Sequence, residues 1–459
     1  MLPSDIDNLY NLQKEYFQSG ETYDVSFRIK MLIKLKETIK KYESEIMEAL
    51  KLDLGKSNSE SYMCEIGMTL AELNYLIKKV KKFSKVKRVR TPLAQFHSKS
   101  YKLSVPYGNT LILSPWNYPF LLTMNPVIDA IAAGNTAIVK PSAYSPNTSA
   151  VMKKIINESF DEKHVAVVLG GREENNYLLK KKFDFIFFTG SGEVGKVVLR
   201  NSAEYLTPCV LELGGKSPVI VDETADVKLA AKRIIFGKII NSGQTCVAPD
   251  YILCHHDVKD ELVKELLFQI KKQLGNNPLT NANYPHIVNG KHFKRLIGLM
   301  DKSKIVYGGD VNEETLQITP TIMSDVTFDD DVMKEEIFGP ILPIVTYKDF
   351  SEVYNILKDL PKPLALYFFT SNKKRVKFVQ SHIQFGGGCI NDTIIHLATN
   401  NMPFGGVGES GMGSYHGLEG FLAFSHTKSI VNKKTWIDLP MRYQPYNKQK
   451  DRLIRRFLK

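Results

Sequence analysis

Three short stretches hold residue types able to form and resolve a covalent bond. Residues 241–250 read NSGQTCVAPD, with Cys246 behind a small, polar approach of Gly243, Gln244 and Thr245. Residues 211–218 read LELGGKSP and place Glu212 34 residues before that cysteine, beside a glycine pair. A cysteine offers a nucleophile, a carboxylate can activate water, and glycines let backbone approach closely. The third stretch, 115–119 (PWNYP), contributes Asn117, a neutral donor suited to a developing oxyanion. Taken singly these residues have plainer readings. Free cysteines are among the most buried residue types, and Asn117 could simply cap a helix.

Elements must position these groups, and a strand–helix rhythm supplies them. NTLILS at 109–114 reads as a buried strand leading to Asn117 at a helix start, with Pro119 in the first turn and Gly134 closing the segment. TAIVK at 136–140 is a second strand, ending in Lys140. A helix over 147–160 and strands over 165–169 and 183–189 follow. The glycine turn 190–195 (GSGEVG) then opens a helix toward Tyr205. This predicts a mostly parallel, three-layer α/β domain. The turn is not GxGxxG, yet a helix N-terminus of this kind attracts phosphate.

A second α/β unit is expected after Glu212, with strands at 217–221 and 251–254, helices at 226–240 and 259–274, and later strands at 341–346 and 364–370. Upstream, Phe27, Met31, Leu35, Ile39, Tyr42 and Ile46 predict one long helix over 23–53, followed by another over 59–83. Alternation over 99–108 with a turn at 106–108 suits a hairpin arm. The glycine-dense region 386–413 holds His396, for which no partner is identifiable and no acid–base role is assigned, and Phe404.

The chain of 459 residues can bury a large core and divide into domains. Five widely spaced cysteines argue against a disulfide scaffold, and without CxxC or HExxH no metal is expected. The N-terminus does not read as a signal peptide, and prolines and polar residues break the most apolar region, 110–139, so no transmembrane segment is expected. The net charge of +12 is concentrated: residues 78–90 hold eight basic side chains and no acid, and residues 448–459 hold six with one acid. Such runs are mostly solvated faces, and no nucleic-acid fold signature accompanies them. The short basic tail could contact a membrane surface.

Together these stretches resemble the aldehyde dehydrogenase superfamily. The likeness also rests on VKPS at 139–142, FTGSGEVG at 188–195, EEIFGP at 335–340 and MPFGG at 402–406, in this order. The APD after Cys246 and the closing YHG at 415–417 look like the shorter, class-3-like branch, which includes fatty and aromatic aldehyde dehydrogenases. The resemblance implies a Rossmann-type dinucleotide-binding domain (1–89 and 105–208), an α/β catalytic domain (209–425) and a small β oligomerisation arm (90–104 and 426–446), followed by a basic tail (447–459). It further implies Cys246 as nucleophile, Glu212 as general base and Asn117 as oxyanion donor. NAD or NADP would meet Lys140, Gly190, Ser191, Gly195, Glu336 and Phe338. Tyr118, Ile240 and Phe404 would line a substrate funnel.

The expected reaction oxidises a medium- or long-chain aliphatic or aromatic aldehyde to the acid through a cysteine thiohemiacetal and thioester, in a cytoplasmic homodimer. Two departures stand out. Ala143 occupies a position where NAD-preferring relatives often carry glutamate, which makes NADP use credible, and Leu418 stands where close relatives often carry lysine. The alternatives are a CoA-acylating enzyme and a non-catalytic binding protein on the same fold.

Overall fold

The computed structural model describes residues 2–458. A six-stranded sheet runs in the order Gly411–Met412, Cys209–Glu212, Phe185–Thr189, Asn109–Leu113, Thr136–Lys140, Val165–Val167. All its pairings are parallel except that of the edge strand Gly411–Met412. The central strands are buried along their whole length, as expected where helices cover both faces. A seven-stranded sheet runs Ile305–Tyr307, Thr321–Met323, Ile341–Tyr347, Tyr251–His255, Pro218–Val221, Ala365–Phe369, Gly387–Ile390. It is parallel apart from its first strand. The α/β fold class expected from the sequence is therefore present.

Strand pairings cross the expected domain limits. Cys209–Glu212, expected to open the catalytic domain at 209, pairs with Phe185–Thr189 and belongs to the first sheet. Gly411–Met412 returns from 200 residues later to cover that sheet's edge. The arm is a three-stranded antiparallel sheet of Lys87–Val89, Ser98–Pro106 and Ser425–Lys433, so it extends beyond 90–104 at both ends and its last strand stops at 433. The turn at 106–108 does not close a hairpin. Ser98–Pro106 pairs with Lys87–Val89 and Ser425–Lys433, and the chain after it enters the six-stranded sheet. The basic tail forms the helix Lys448–Phe457.

The expected helix over 23–53 is two helices, Val25–Lys41 and Glu43–Leu54, broken at Tyr42. Both pack on Pro146–Ser159, and the Tyr42 hydroxyl bonds Glu158 at 2.5 Å, anchoring the bend. The next helix also carries a surprise: Asn58–Ser61 widens into a π-turn over Tyr62–Ile66 before Gly67–Phe83 continues it. Such turns often mark functional sites because they redirect side chains. Gly67 permits this one, since a Cβ there would lie 2.8 Å from the Tyr62 carbonyl oxygen.

The tight π-turn yields a prediction opposite in sign to helix propensity. Alanine is favoured over glycine inside a helix by about 1 kcal/mol, yet Gly67→Ala is expected to lower the thermal unfolding midpoint. An unchanged or raised midpoint in a thermal melt would show that the turn relaxes without cost.

Candidate active site

The C-terminal ends of the parallel strands in the first sheet deliver the chemical groups, as open α/β sheets generally do. Asn109–Leu113 leads into the Asn117 loop, Thr136–Lys140 ends on Lys140, and Phe185–Thr189 leads to Gly190 and Ser191. Cys209–Glu212 ends on Glu212, whose register partner is Thr189. The Cys246 loop comes from the second sheet and precedes Tyr251–His255. The Asp250 N–H donates to the Ser217 carbonyl at 2.9 Å, and the Tyr367 hydroxyl donates to the Val247 carbonyl at 2.5 Å, so the loop is tied down beyond the cysteine. Before it, Gly243 adopts φ +73, and a Cβ there would lie 2.3 Å from the Gly339 carbonyl oxygen.

These elements bring the Cys246 Sγ to 3.3 Å from Glu212 Oε1, with the thiol donating. Glu212 is 1 % exposed. Burial raises its pKa to about 7, partly offset by the hydrogen bond from Cys246 and by the neighbouring Thr189 hydroxyl. Burial, followed by the adjacent Glu212 charge, also pushes the Cys246 thiol well above its ordinary value. At neutral pH the resting pair is therefore a protonated thiol facing a carboxyl group poised between its charged and neutral forms. Asn117 is buried beside them, and its Nδ2 donates to the Gln244 carbonyl at 3.1 Å, directing the amide toward the cysteine loop.

Asn117 does not begin a helix. The helix starts four residues later, at Leu121, because a carboxylate from another element, Glu65, accepts the N–H groups of Phe120 and Leu121.

Cys246 lies where two cavities meet. One, of about 190 Å³, has walls that include Met63, Met68, Leu121 and Phe236, together with the expected funnel residues Tyr118, Ile240 and Phe404. The Tyr118 hydroxyl is engaged by Thr245 at 2.8 Å, which leaves its ring face as wall. The other cavity, of about 350 Å³, is bordered by Asn117, Gly190, Ser191, Glu212, Glu336 and Phe338. Cys246 and Leu122 border both.

The larger cavity has the chemistry of a dinucleotide site. Ser191 is the N-cap of Gly192–Tyr205 with no side-chain cap bond, so the helix's first N–H groups face outward for an anion. Gly195 lets this helix approach Leu213, where a Cβ would come within 2.8 Å. Glu336 is raised to about 8, first by burial and then by the Asp250 charge, and a carboxylate so placed can accept from ribose hydroxyls. Close above it lies Gly214, whose Cβ would strike the Glu336 carboxylate at 2.3 Å. Phe338 (φ 51) meets Trp116 edge to face, with ring centroids 5.5 Å apart. Lys140 donates to the Pro141 carbonyl at 2.8 Å, and burial lowers its pKa to about 8.

Several residues that shape the site escaped the sequence reading. The Lys216 ammonium bonds Asp250 at 2.5 Å and the carbonyls of Val332 and Glu335, while Arg295 donates to the carbonyls of Glu336 and Ile337. The two cations thus grip the Glu336 loop from both sides. The LELGGKSP motif contained Lys216, but only folding reveals its targets. His292 lies against Trp116 with centroids 5.4 Å apart. His396 Nδ1 lies 3.7 Å from the Cys389 sulfur. Among the described residues, one group (His255, His256 and Asp257) brings three potential metal ligands within 4.8 Å, at the opposite end of Tyr251–His255 from the Cys246 loop.

The profile of the aldehyde dehydrogenase family matches residues 3–430. The chain is 48% identical to 4,4'-diaponeurosporen-aldehyde dehydrogenase of Staphylococcus aureus, over 99% of both chains. It is 41% identical to the dimeric NADP-preferring aldehyde dehydrogenase of Canis lupus familiaris, over 96% of this chain and 98% of that one. Among solved structures, the substrate-bound state of Staphylococcus aureus AldH superposes with a TM-score of 0.97 at 48% identity, covering 99% of both chains.

The paired thiol and carboxylate make a measurable signature. Alkylation of Cys246 by iodoacetamide is expected to accelerate as pH rises through about 7, where Glu212 loses its proton and becomes a base. Glu212→Gln should erase that step and leave only the rise at higher pH from direct thiol ionisation. A step that survives the substitution would place the base elsewhere.

Proposed function

The chain belongs to the aldehyde dehydrogenase family and is an NAD(P)-dependent aldehyde dehydrogenase; we propose that Cys246, Glu212 and Asn117 carry its chemistry on apolar aldehydes. The observation that carries this reading is the Cys246 sulfur, 3.3 Å from a buried carboxylate and bordering an apolar and a polar cavity at once. The aldehyde enters from the apolar side. The Cys246 sulfur attacks its carbonyl carbon while the thiol proton passes to Glu212. The new oxyanion accepts hydrogen bonds from Asn117 Nδ2 and the Cys246 backbone N–H.

Bound in the larger cavity, NAD(P) supplies the hydride acceptor. Ser191 and the helix N-terminus would hold its phosphates, Lys140 and Glu336 would meet its riboses, and Phe338 would pack on the nicotinamide side. With the hydride gone, the substrate carbon is joined to Cys246 as a thioester. Glu212, its proton released to solvent, takes a proton from water as the water oxygen attacks the thioester. The carbon–sulfur bond then breaks, sulfur regains a proton, and the carboxylic acid leaves. A base beside the thioester suits hydrolysis and disfavours CoA as acceptor.

The walls of the smaller cavity point to substrates with extended apolar bodies, aliphatic or aromatic. The Staphylococcus aureus relative is named for 4,4'-diaponeurosporen-aldehyde. We also assign the three-stranded arm to a homodimer contact. Its outer strands Lys87–Val89 and Ser425–Lys433 leave edges able to pair with a second copy. Five free cysteines suit the reducing cytoplasm. Among the described residues no helix is long and apolar enough to cross a membrane. The terminal helix Lys448–Phe457 instead exposes Leu453 and Phe457 beside Arg452, Arg455 and Arg456, a composition suited to anionic lipid headgroups.

Three measurements test these assignments. Turnover of saturated aldehydes should yield free acid with either NAD or NADP and without CoA, and Cys246→Ser should abolish it; acyl-CoA as sole product would overturn the role of Glu212. Within a homologous series, kcat/KM should rise about fourfold per methylene, the equivalent of about 0.8 kcal/mol per buried CH₂, until the cavity is filled. A flat series would argue against apolar selection. The full chain should sediment with vesicles containing phosphatidylglycerol more than with neutral vesicles, and truncation after residue 446 should remove the difference.

A further inference from the structure

The segment 56–66 is distant in sequence from the catalytic motifs, yet three of its charged side chains end on the loops that frame Cys246. Lys56 is fully buried. Its ammonium donates to the Asn117 carbonyl at 2.9 Å, pairs with Glu65 at 2.5 Å and lies 3.9 Å from the centroid of the Tyr118 ring. The other Glu65 oxygen accepts the N–H groups of Phe120 and Leu121 at 2.8 and 3.2 Å. Every residue from 117 to 121 except Pro119 is thus touched by this one ion pair. The π-turn over Tyr62–Ile66 contains Glu65 and also Met63 and Cys64, which line the apolar cavity.

A second clamp acts on the cysteine loop. Glu60 accepts the Asn241 N–H at 2.7 Å. Asn241 holds a left-handed backbone (φ 49) and donates through Nδ2 to the carbonyls of Asn117 and Gln244, at 2.7 and 3.1 Å. The Asn117 carbonyl therefore receives two donors, while its side-chain amide reaches Gln244 on the other loop.

We propose that Lys56, with its partner Glu65, is a positioning residue that fixes the Asn117 amide relative to Cys246 for stabilising the oxyanion. This inference rests on the reading of Asn117 as the oxyanion donor. A planar side-chain amide on a loop has several rotamers, and its own peptide carbonyl is the nearest handle by which the fold can restrict them. Two donors on that carbonyl, a cation under the next ring and a carboxylate on the next free N–H groups leave the loop one arrangement. A buried ion pair is a weak source of net stability, because desolvation offsets most of its attraction. Replacing both partners together is therefore expected to change the geometry of the reaction more than the melting temperature, whereas removing one alone leaves a buried charge unpaired.

The test compares a reaction of Cys246 that develops an oxyanion with one that does not. Hydrolysis of p-nitrophenyl acetate and oxidation of an aldehyde both form an oxyanion; alkylation by iodoacetamide displaces iodide and forms none. Lys56→Met should slow ester hydrolysis and lower kcat for the aldehyde on the order of 100-fold, the scale of a misplaced reacting group, with alkylation and the KM for NAD(P) unchanged. Lys56→Met/Glu65→Gln leaves no unpaired buried charge, and it carries the same test if the single variant does not fold. Adding Asn117→Ala to that background should cost little more, because the donor is already misdirected.

Equal slowing of alkylation and ester hydrolysis would reduce Lys56 to a general structural role and overturn the proposal. Full activity in the Lys56 variants while Asn117→Ala alone is impaired would sink this inference and leave Asn117 standing. No effect of Asn117→Ala alone would sink the oxyanion reading itself, and this proposal with it.

Discussion

The close contact between the Cys246 thiol and the buried Glu212 carboxyl is the constraint on which the rest of the architecture depends. In water a thiol and a carboxylate sit far apart in acidity, and proton transfer from one to the other is uphill. Burial raises both groups here, the carboxylate to about 7 and the thiol well above its ordinary value. Desolvation thus makes Glu212 a competent base near neutral pH without making the resting thiol reactive. The same low-dielectric surroundings require the two groups to be held by backbone, since an unrestrained carboxylate would swing toward solvent. The sheet supplies this restraint. Glu212 is the last residue of a strand paired on both sides, and its carbonyl accepts the Gly190 N–H at 3.0 Å.

Much of this was legible in the sequence, and what was missed has a common physical origin. Buried parallel strands leave continuous apolar runs such as NTLILS and TAIVK, so the central sheet and the residues at its C-terminal edge could be read locally. Cys246, Glu212 and Asn117 were visible as residue types but were joined by family likeness, since 127 residues separate Asn117 from the Gln244 carbonyl it meets. The sheet membership of Cys209–Glu212 was not legible because it resembles any short strand. Which sheet it joins is decided by pairing with Phe185–Thr189. The helix expected at Asn117 failed for a related reason: its N-terminus is set by Glu65, 55 and 56 residues away in sequence. Periodicity reports which face of a segment is buried. It carries no information on which distant side chain will cap it.

Charged residues followed the same rule. Lys56, Lys216 and Arg295 look like three ordinary members of a basic chain, and a net charge of +12 hides them well. In the fold each ends on backbone carbonyls of a loop bordering the site. Lys216 and Arg295 hold the loop that carries Glu336 and Phe338, and Lys56 holds the loop that carries Asn117. Cations suit this work because an ammonium or guanidinium can satisfy several carbonyls at once, where a helix or strand would need a regular backbone that these loops lack.

This arrangement separates the grip on Glu336 from the floor of the apolar cavity. The loop bearing Glu336 and Phe338 is gripped from within the second α/β unit, by Lys216 and Arg295. The apolar side is floored by the N-terminal π-turn and the helix that begins at Leu121. Substitutions that reshape the apolar wall at Met63 or Met68 therefore act on a surface that makes no contribution to the grip on Glu336. Among the described residues, only Cys246 and Leu122 are common to both cavities. A fold divided in this way can vary the aldehyde it accepts by changing one helical face, while the sulfur, its carboxylate and the dinucleotide cleft keep their geometry.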